Sequence, residues 1–320
     1  MHRPLISVVL VAWNRRADLE RAIRSLRAQD HPRTELVVVD NGSTDGTGEM
    51  LRSGSLGPMT LCSAPRNLGA SVARNVGIGV ATGELTAFMD SDAELPDPDA
   101  LSRLADALAA DAGLAAVAPA IYSDSARSRV WLLGGYFLRG CYHDHARSTR
   151  ETADPDVLST CLSLWRTEVL RQSGGFDPAY PFCFEDCDLS VRVRAAGWRL
   201  GVCPDVSAIH HCSADGRVRE YPSFAHRLYI ERSANRHMIQ RMGVARYLRE
   251  VAWLLGRGGR ELRRGIYAGY PLDVWRKARL FLGVPLSTLA RYPAIRAAAG
   301  GDWITGAAES AGVAVERVGG

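Results

Sequence analysis

The sequence predicts an α/β protein with a mostly parallel sheet, helices on both of its faces, and a helical region following it. Two observations predict this. Over the first 120 residues, short apolar runs alternate with segments of helical period, the pattern of strands joined by crossover helices. Several apolar runs also end in Asn or Asp, which fits sheets that bind ligands beyond the carboxyl ends of their strands.

Leu5–Ala12 is a short apolar run and reads as a buried strand. Leu19, Ala22, Ile23 and Leu26 recur at helical spacing after Asn14. Glu35–Asp40 contains Leu-Val-Val-Val, a second buried strand that Asn41-Gly42-Ser43 breaks. Thr60–Ala64 is a weaker strand, and 70–81 is a helix closed by Thr82-Gly83. Leu85–Asp90 is a strand, 100–110 a helix and Leu114–Ala118 a strand. Residues 120–156 are irregular and polar, expected as a loop-rich insertion. Then come a strand at Val157–Leu164, a short helix at 166–172, a helix at 185–196, and short strands at Leu200–Cys203 and Ser207–His210. From Tyr221 the pattern is helical and basic, broken at 256–259, Pro271, Pro285 and Pro293, and the Ala/Gly-rich end is expected to fray.

At 320 residues, 47% hydrophobic and 23% charged, the chain fits a globular protein with one large core or a core plus an appendage. The net charge of +4 is unevenly spread. Residues 217–320 carry 18 Lys+Arg against 8 Asp+Glu, whereas the first 216 carry 21 against 27. An acidic body with a basic tail argues against a nucleic-acid-binding core and suggests an anionic surface for the tail. The expected division is 1–216 as the main part, with 1–120 and 121–216 as its two halves, then 217–320 as a basic helical region. Seven cysteines, with no secretory signal ahead of them, are expected to be reduced thiols in a cytoplasmic protein. No run approaches the ~18 apolar residues of a membrane span, and Asn41-Gly42-Ser43 reads as a chance glycosylation match.

Asp90-Ser91-Asp92 follows the apolar strand, and two carboxylates so spaced at a strand end suit a hard cation such as Mg²⁺ or Mn²⁺. Asn14 and Asp40 end other strands on the same edge. Gly174-Gly175-Phe176-Asp177 and Phe184-Glu185-Asp186-Cys187-Asp188-Leu189 form a second constellation. The diglycine allows close backbone approach to a ligand, and acids opening a helix suit its dipole. Asp186 is the expected general base, with Asp188 a cap or Arg partner. One of His210 and His211, on alternate faces of a strand end, could complete the metal site. Cys183, Cys187, Cys203 and Cys212 lack the paired C-x-x-C of a zinc site. Arg66, Asn67, Arg74 and Asn75 lie around a helix N-terminus, which suits phosphate or base contacts. Gly77-Ile78-Gly79 lies inside a helix, outside any dinucleotide fingerprint.

In order, Val8–Asn14 with Arg15, Val37–Gly46, Arg66–Gly69 with Ala73-Arg74-Asn75, Thr82-Gly83-Glu84, Asp90–Asp92, Gly174–Asp177 and Glu185–Leu189 resemble the family 2 glycosyltransferases. These are inverting enzymes of the Rossmann-like GT-A fold, and the resemblance covers residues 5–212. It extends to the rhamnosyltransferase-like and galactofuranosyltransferase-like branches, where a helical tail follows the catalytic domain. The resemblance implies that Ala12, Asn14 and Asp40 hold base and ribose, while Arg66, Asn67 and Asp90 help place the donor. It further implies Asp90, Asp92 and His210 as ligands of Mn²⁺ or Mg²⁺, Gly175 and Glu185 at the acceptor, and Asp186 as the base. The cysteines at 183 and 187 depart from the family pattern and leave the acceptor open.

The expected reaction moves a sugar, with inversion, from a nucleoside-diphosphate donor, UDP- or dTDP-linked, to a hydroxyl on a glycan, lipid-linked or small-molecule acceptor. Assembly of cell-surface glycans is the expected setting. A sugar-1-phosphate nucleotidyltransferase would want a glycine-rich phosphate loop that 8–16 lacks, and a non-catalytic nucleotide-sugar-binding partner would lack some of the acids that are present. In the tail, Arg246, Arg249, Arg257, Arg260, Arg263 and Arg264 interleave with Tyr247, Leu248, Val251, Trp253, Leu254 and Leu255. Such a stretch either lies on an anionic membrane, here the inner face of the plasma membrane, or packs on the protein or a homodimer partner.

Overall fold

The computed structural model describes residues 3–137, 145–211, 224–256, 279–297 and 300–319. The chain divides into two compact units. One comprises Met1–Tyr136, His145–Gly216 and Asp302–Gly320, and the other Phe137–Asp144 and Arg217–Gly301.

The first unit is built on a ten-stranded sheet. Its strands are β1 (Ile6–Ala12), β2 (Thr34–Asp40), β3 (Met59–Ser63), β4 (Leu85–Asp90), β5 (Ala93–Glu94), β6 (Leu114–Tyr122), β7 (Val130–Leu132), β8 (Leu162–Arg166), β9 (Arg199–His210) and β10 (Ala314–Val318). The order is β10-β3-β2-β1-β4-β8-β6-β9-β5, with β7 on β6. The run β3-β2-β1-β4 is parallel throughout. Helices α1 (Arg16–Arg27), α2 (Thr47–Arg52), α3 (Ala70–Val80), α4 (Ala100–Ala110), α5 (His145–Ser148), α6 (Thr167–Gln172) and α7 (Glu185–Ala195) connect these strands.

Strand alternation sets the two faces. Ile6, Val8 and Leu10 of β1 and Leu36 and Val38 of β2 join Leu19 and Ile23 of α1 and Leu101 and Leu104 of α4 in one core. Val9, Val37 and Val39 point the other way, toward Ala73 and Val76 of α3, Leu170 of α6 and Leu189 of α7. Each fully buried Val, Leu or Ile contributes about 1.5–3 kcal/mol, so a one-residue register slip would be costly on both faces. Gly77 of α3 lets this helix lie against β1, because a Cβ there would stand 2.3 Å from Val9 Cγ1. That is the physical reason for a glycine inside the helix.

The structure corrects several expectations. The strand expected at 157–164 is β8, which starts later, at Leu162, and ends at Arg166, and it runs antiparallel to β4 and β6, making the second half of the sheet mixed. Val157 forms only an isolated bridge to Gly135. The stretch expected to be irregular contains the end of β6, β7 and α5. The two short strands expected near 200–210 are one strand, β9, whose register shifts between Cys203 and Ser207, where Pro204 donates no N–H. The end expected to fray pairs instead as β10, antiparallel to β3.

The second unit contains α8 (Phe224–Leu255), whose helical dihedrals are broken at Gly243. A π-helical turn at Arg279–Gly283 leads into α9 (Val284–Ala290) and α10 (Tyr292–Ala297). Met238, Ile239, Tyr247 and Ile295 form its core, and Tyr247 donates a hydrogen bond to Asn235. Cys141, Cys212, Arg257, Arg260, Arg263 and Arg264 lie outside the described residues.

Candidate active site

β4 ends at Asp90, and after Ser91 and Asp92 the chain forms β5, whose Ala93 pairs with His210 at the end of β9. This pairing carries His210 to the acids: its Nε2 lies 3.3 Å from Asp92 Oδ1 and 4.0 Å from Asp90 Oδ2. Alternation along the strand turns His211 away, to Glu94 Oε2 at 2.9 Å. Of the two adjacent histidines, His210 is therefore the one beside both aspartates. Arg15 Nη1 donates to Asp92 Oδ2 at 3.0 Å. Burial alone would raise the Asp92 carboxyl, but His210 and Arg15 outweigh it and hold the group at about 2.

Arg74, buried on α3, connects this strand end to α7. Its Nη2 donates to Asp90 Oδ1 at 3.1 Å and its Nη1 to Glu185 Oε1 at 2.8 Å. Desolvation works against the Arg74 charge, but Glu185 and Asp90 outweigh it and the guanidinium is raised above its ordinary value. Glu185 is raised too, to about 7, by burial and then by the Asp186 charge, against the pull of Arg74. Glu185 Oε2 is buried with no hydrogen-bond partner among the described residues, which fits that direction. Asp186 is half-buried, acts electrostatically on both Arg74 and Glu185, and accepts the Cys187 N–H at 2.8 Å. Cys183 and Phe184, just before the helix, both have positive φ, 63° and 70°. Strain of this kind persists where surrounding contacts hold it, and it aims the first turn of α7. Asp188 is fully buried against Arg192 at 2.8 Å, the structural Arg partner the sequence suggested.

The loops at the ends of β1, β2 and β3 bind one another. Asn14, at φ 53°, accepts the Thr44 N–H at 2.8 Å, and Asp40 Oδ1 accepts the Ser43 N–H at 3.0 Å. Asn41 accepts the Leu68 N–H at 2.9 Å and donates to Asn67 Oδ1 at 3.2 Å. A Cβ on Gly42 would stand 2.5 Å from the Arg66 backbone, so this glycine lets the two loops touch. The Arg66 and Asn67 residues are exposed on this rim.

Three further residues named from the sequence are packed within the protein. Ala12 is buried in the core, and its carbonyl accepts the Asn41 N–H at 2.8 Å, which anchors the loop after β2. Gly175, expected at the acceptor, is buried at φ 78°; a Cβ there would meet Asn75 Oδ1 at 2.5 Å, so the close approach is to α3. Glu185, also expected at the acceptor, faces Arg74 inside the protein. Sequence reading missed Arg15 and Arg74 as partners of the acids, and Trp131, whose ring lies 4.6 Å from that of His210. It also missed Cys161, whose Sγ lies within 4.8 Å of ligand atoms of Asp90 and His210. Arg15 and Arg74 were visible inside the motifs, but nothing local marks Trp131 or Cys161.

The donor set at the strand end fits a divalent cation. Two carboxylates and one imidazole converge, with one Asp92 oxygen already neutralised by Arg15. Carboxylate oxygen with imidazole suits Mn²⁺ and Mg²⁺ when phosphate oxygens complete the shell.

The chain shares its fold with two solved structures. It is similar to a mannosyltransferase from Pyrobaculum calidifontis in complex with GDP-Man and Mn²⁺, with TM-score 0.58, 21% identity, and coverage of 98% of this chain and 87% of that one. It is also similar to S. aureus TarS 1-349 in complex with UDP-GlcNAc, with TM-score 0.59, 18% identity, and coverage of 96% and 91%. These likenesses support a GT-A architecture for the sheet unit. In sequence, it is 37% identical over 92 residues to the putative teichuronic acid biosynthesis glycosyltransferase TuaG of Bacillus subtilis, covering 28% of this chain and 36% of that protein. It is 38% identical over 101 residues to the succinoglycan biosynthesis protein ExoO of Rhizobium meliloti, covering 32% and 29%. The chain thus spans about a third of the length of these relatives. The glycosyl transferase family 2 model matches residues 7–171, just over half of the chain, and the protein belongs to that family.

Proposed function

We propose that the protein transfers a sugar, with inversion at the anomeric carbon, from a nucleoside-diphosphate donor to an acceptor hydroxyl. The observation that carries this reading is the chain of contacts Asp90–Arg74–Glu185, which ties the helix bearing Asp186 to the acidic strand end beside His210. Two similar structures hold nucleoside-diphosphate sugars, which supports the donor class. Two relatives named for teichuronic acid and succinoglycan biosynthesis support a role in cell-surface glycan assembly. UDP- or dTDP-linked hexose or deoxyhexose is the donor proposed, in keeping with a rhamnosyl- or galactofuranosyl-transferring branch.

Asp90, Asp92 and His210 would hold Mn²⁺ or Mg²⁺, which supplies positive charge to the diphosphate leaving group when bound. Arg15 fixes Asp92, and Arg74 fixes Asp90, so both carboxylates are oriented before a donor arrives. The loops of Asn14, Asp40, Arg66 and Asn67 form the nucleotide side. Asp186 takes the proton from the acceptor oxygen as that oxygen attacks from the face opposite the leaving group, a single displacement that inverts the centre. Glu185 orients this helix from inside the protein.

Residues 1–216 form the proposed catalytic part, with a nucleotide half and an acceptor half, and the returning strand β10 belongs with it. In the basic region, Leu248, Leu255, Leu282 and Leu286 are exposed beside the exposed Arg246, Arg249 and Arg279. Apolar side chains among guanidinium groups support peripheral binding to an anionic membrane at the cytoplasmic face. No helix among the described residues is long and apolar enough to cross a membrane.

A panel of nucleotide sugars with Mn²⁺ or Mg²⁺ tests the function, read by donor hydrolysis and thermal shift. A donor that stabilises the fold only with cation, and is turned over, supports the reading. Neither effect from any nucleoside-diphosphate sugar overturns it.

A further inference from the structure

We propose that Asp90, Cys161 and His210 form a binding site for a thiophilic divalent cation, Zn²⁺ foremost, that competes with the hard cation for the same two shared ligands. One oxygen, one sulfur and one nitrogen from these side chains all lie within 4.8 Å of one another. They sit at the ends of three strands: the last residue of β4, the residue before β8, and the last residue of β9. The backbone holds them there. The Asp90 N–H donates to the Cys161 carbonyl at 2.9 Å, and Met89 pairs with Leu162. Trp131 packs its ring on His210.

Three protein donors with a fourth position open is an arrangement that zinc takes at reactive sites. Zinc–sulfur and zinc–nitrogen bonds of about 2.3 and 2.0 Å put tetrahedral ligand atoms about 3.3–3.5 Å apart, so closure by about 1 Å completes the set. Sulfur decides the preference, because a thiolate favours zinc over manganese or magnesium, while Asp92 with the diphosphate favours the hard ions. Cys161 is 1% exposed and packs in the apolar core, with its sulfur within 4.8 Å of ligand atoms of Asp90 and His210. The site rests on the same geometry as the cation site proposed above, and its test needs no sugar transfer.

The full chain, cleared of metal, is titrated with Zn²⁺ and Mn²⁺ by calorimetry, and with Cd²⁺ while the ultraviolet thiolate-to-cadmium charge-transfer band is recorded. The wild type shows the band saturating at one equivalent. Cys161→Ser loses it, and its Zn²⁺ affinity falls at least about tenfold, the lower end of what loss of even an outer-shell partner costs. Mn²⁺ affinity changes far less. Cys161→Ala repeats the result if the serine variant does not fold, and Cys62→Ser, a buried thiol elsewhere in the sheet, keeps the band. A wild type without the band, or a Cys161 variant that keeps both band and Zn²⁺ affinity, overturns the site. Mn²⁺-supported donor turnover, measured separately in the wild type, shows whether the transferase reading fails with it.

Discussion

Arg74 Nη1 lies 2.8 Å from Glu185 Oε1, with both side chains less than a tenth exposed. One guanidinium from α3 therefore links the first turn of α7 to the strand end carrying Asp90. Breaking a buried pair by removing one partner costs about 3–5 kcal/mol. Arg74→Met should lower stability by that order, and Arg74→Met with Glu185→Gln should recover part of the loss. Urea unfolding of wild type, single and double variants measures both. Equal losses in single and double variants would show that Glu185 does not depend on Arg74.

Glu185 makes stability depend on pH. Burial, with the Asp186 charge, raises its carboxyl from 4.5 to about 7, so between those values the folded chain holds a proton that the unfolded chain releases. This contribution is complete below pH 4.5 and is lost as pH rises through about 7. Glu185→Gln, which cannot release that proton, should decline less over the same interval. Thermal unfolding at closely spaced pH values reads the difference in slope, and parallel curves would contradict it.

Replacement of Asp186 by Asn keeps the shape of the side chain and removes its basicity. General-base catalysis contributes about 10²–10⁴-fold, so the rate constant for transfer should fall by that factor. Donor affinity, proposed to be set at the strand end, should change little. Single-turnover transfer and equilibrium donor binding separate the two, and near-normal turnover would assign the base elsewhere.

Asp92 is held at about 2 by His210 and Arg15 despite its burial. Asp92→Ala removes a proposed cation ligand and leaves Arg15 and His210 without their shared partner. Cation-dependent donor binding should be lost, measured by calorimetry with and without chelator. Tight donor binding insensitive to chelator would count against the proposed ligand set.

Leu248 and Leu286 are 46% and 65% exposed in the basic unit. Changing both to Glu should reduce flotation with vesicles containing anionic lipid while leaving neutral vesicles unbound as before. Unchanged flotation would leave no membrane role for this face.

Much of the fold was legible because its signals are local. Val37-Val38-Val39 before Asp40, and the helical spacing of Leu19 and Ile23, mark a strand and a helix without reference to any distant residue. Asp90 and Asp92 were legible as a pair because one strand end carries both. The direction of β8 and the return of β10 were not, since each depends on which strand edge remains open once the others have paired. The Ala/Gly-rich end has little apolar character of its own, and the open edge of β3 orders it.

By itself the sequence determined the alternation of strands and helices, the acidic strand end and the acidic opening of α7, because period, turn residues and helix dipoles act over a few positions. Only the tertiary structure decided which partners those acids have. Arg74 meets Glu185 across 111 positions, Arg15 meets Asp92 across 77, and Cys161 comes beside Asp90 through the order of strands. Such contacts exist only where the sheet brings strand ends together, and strand order is a property of the whole packed core.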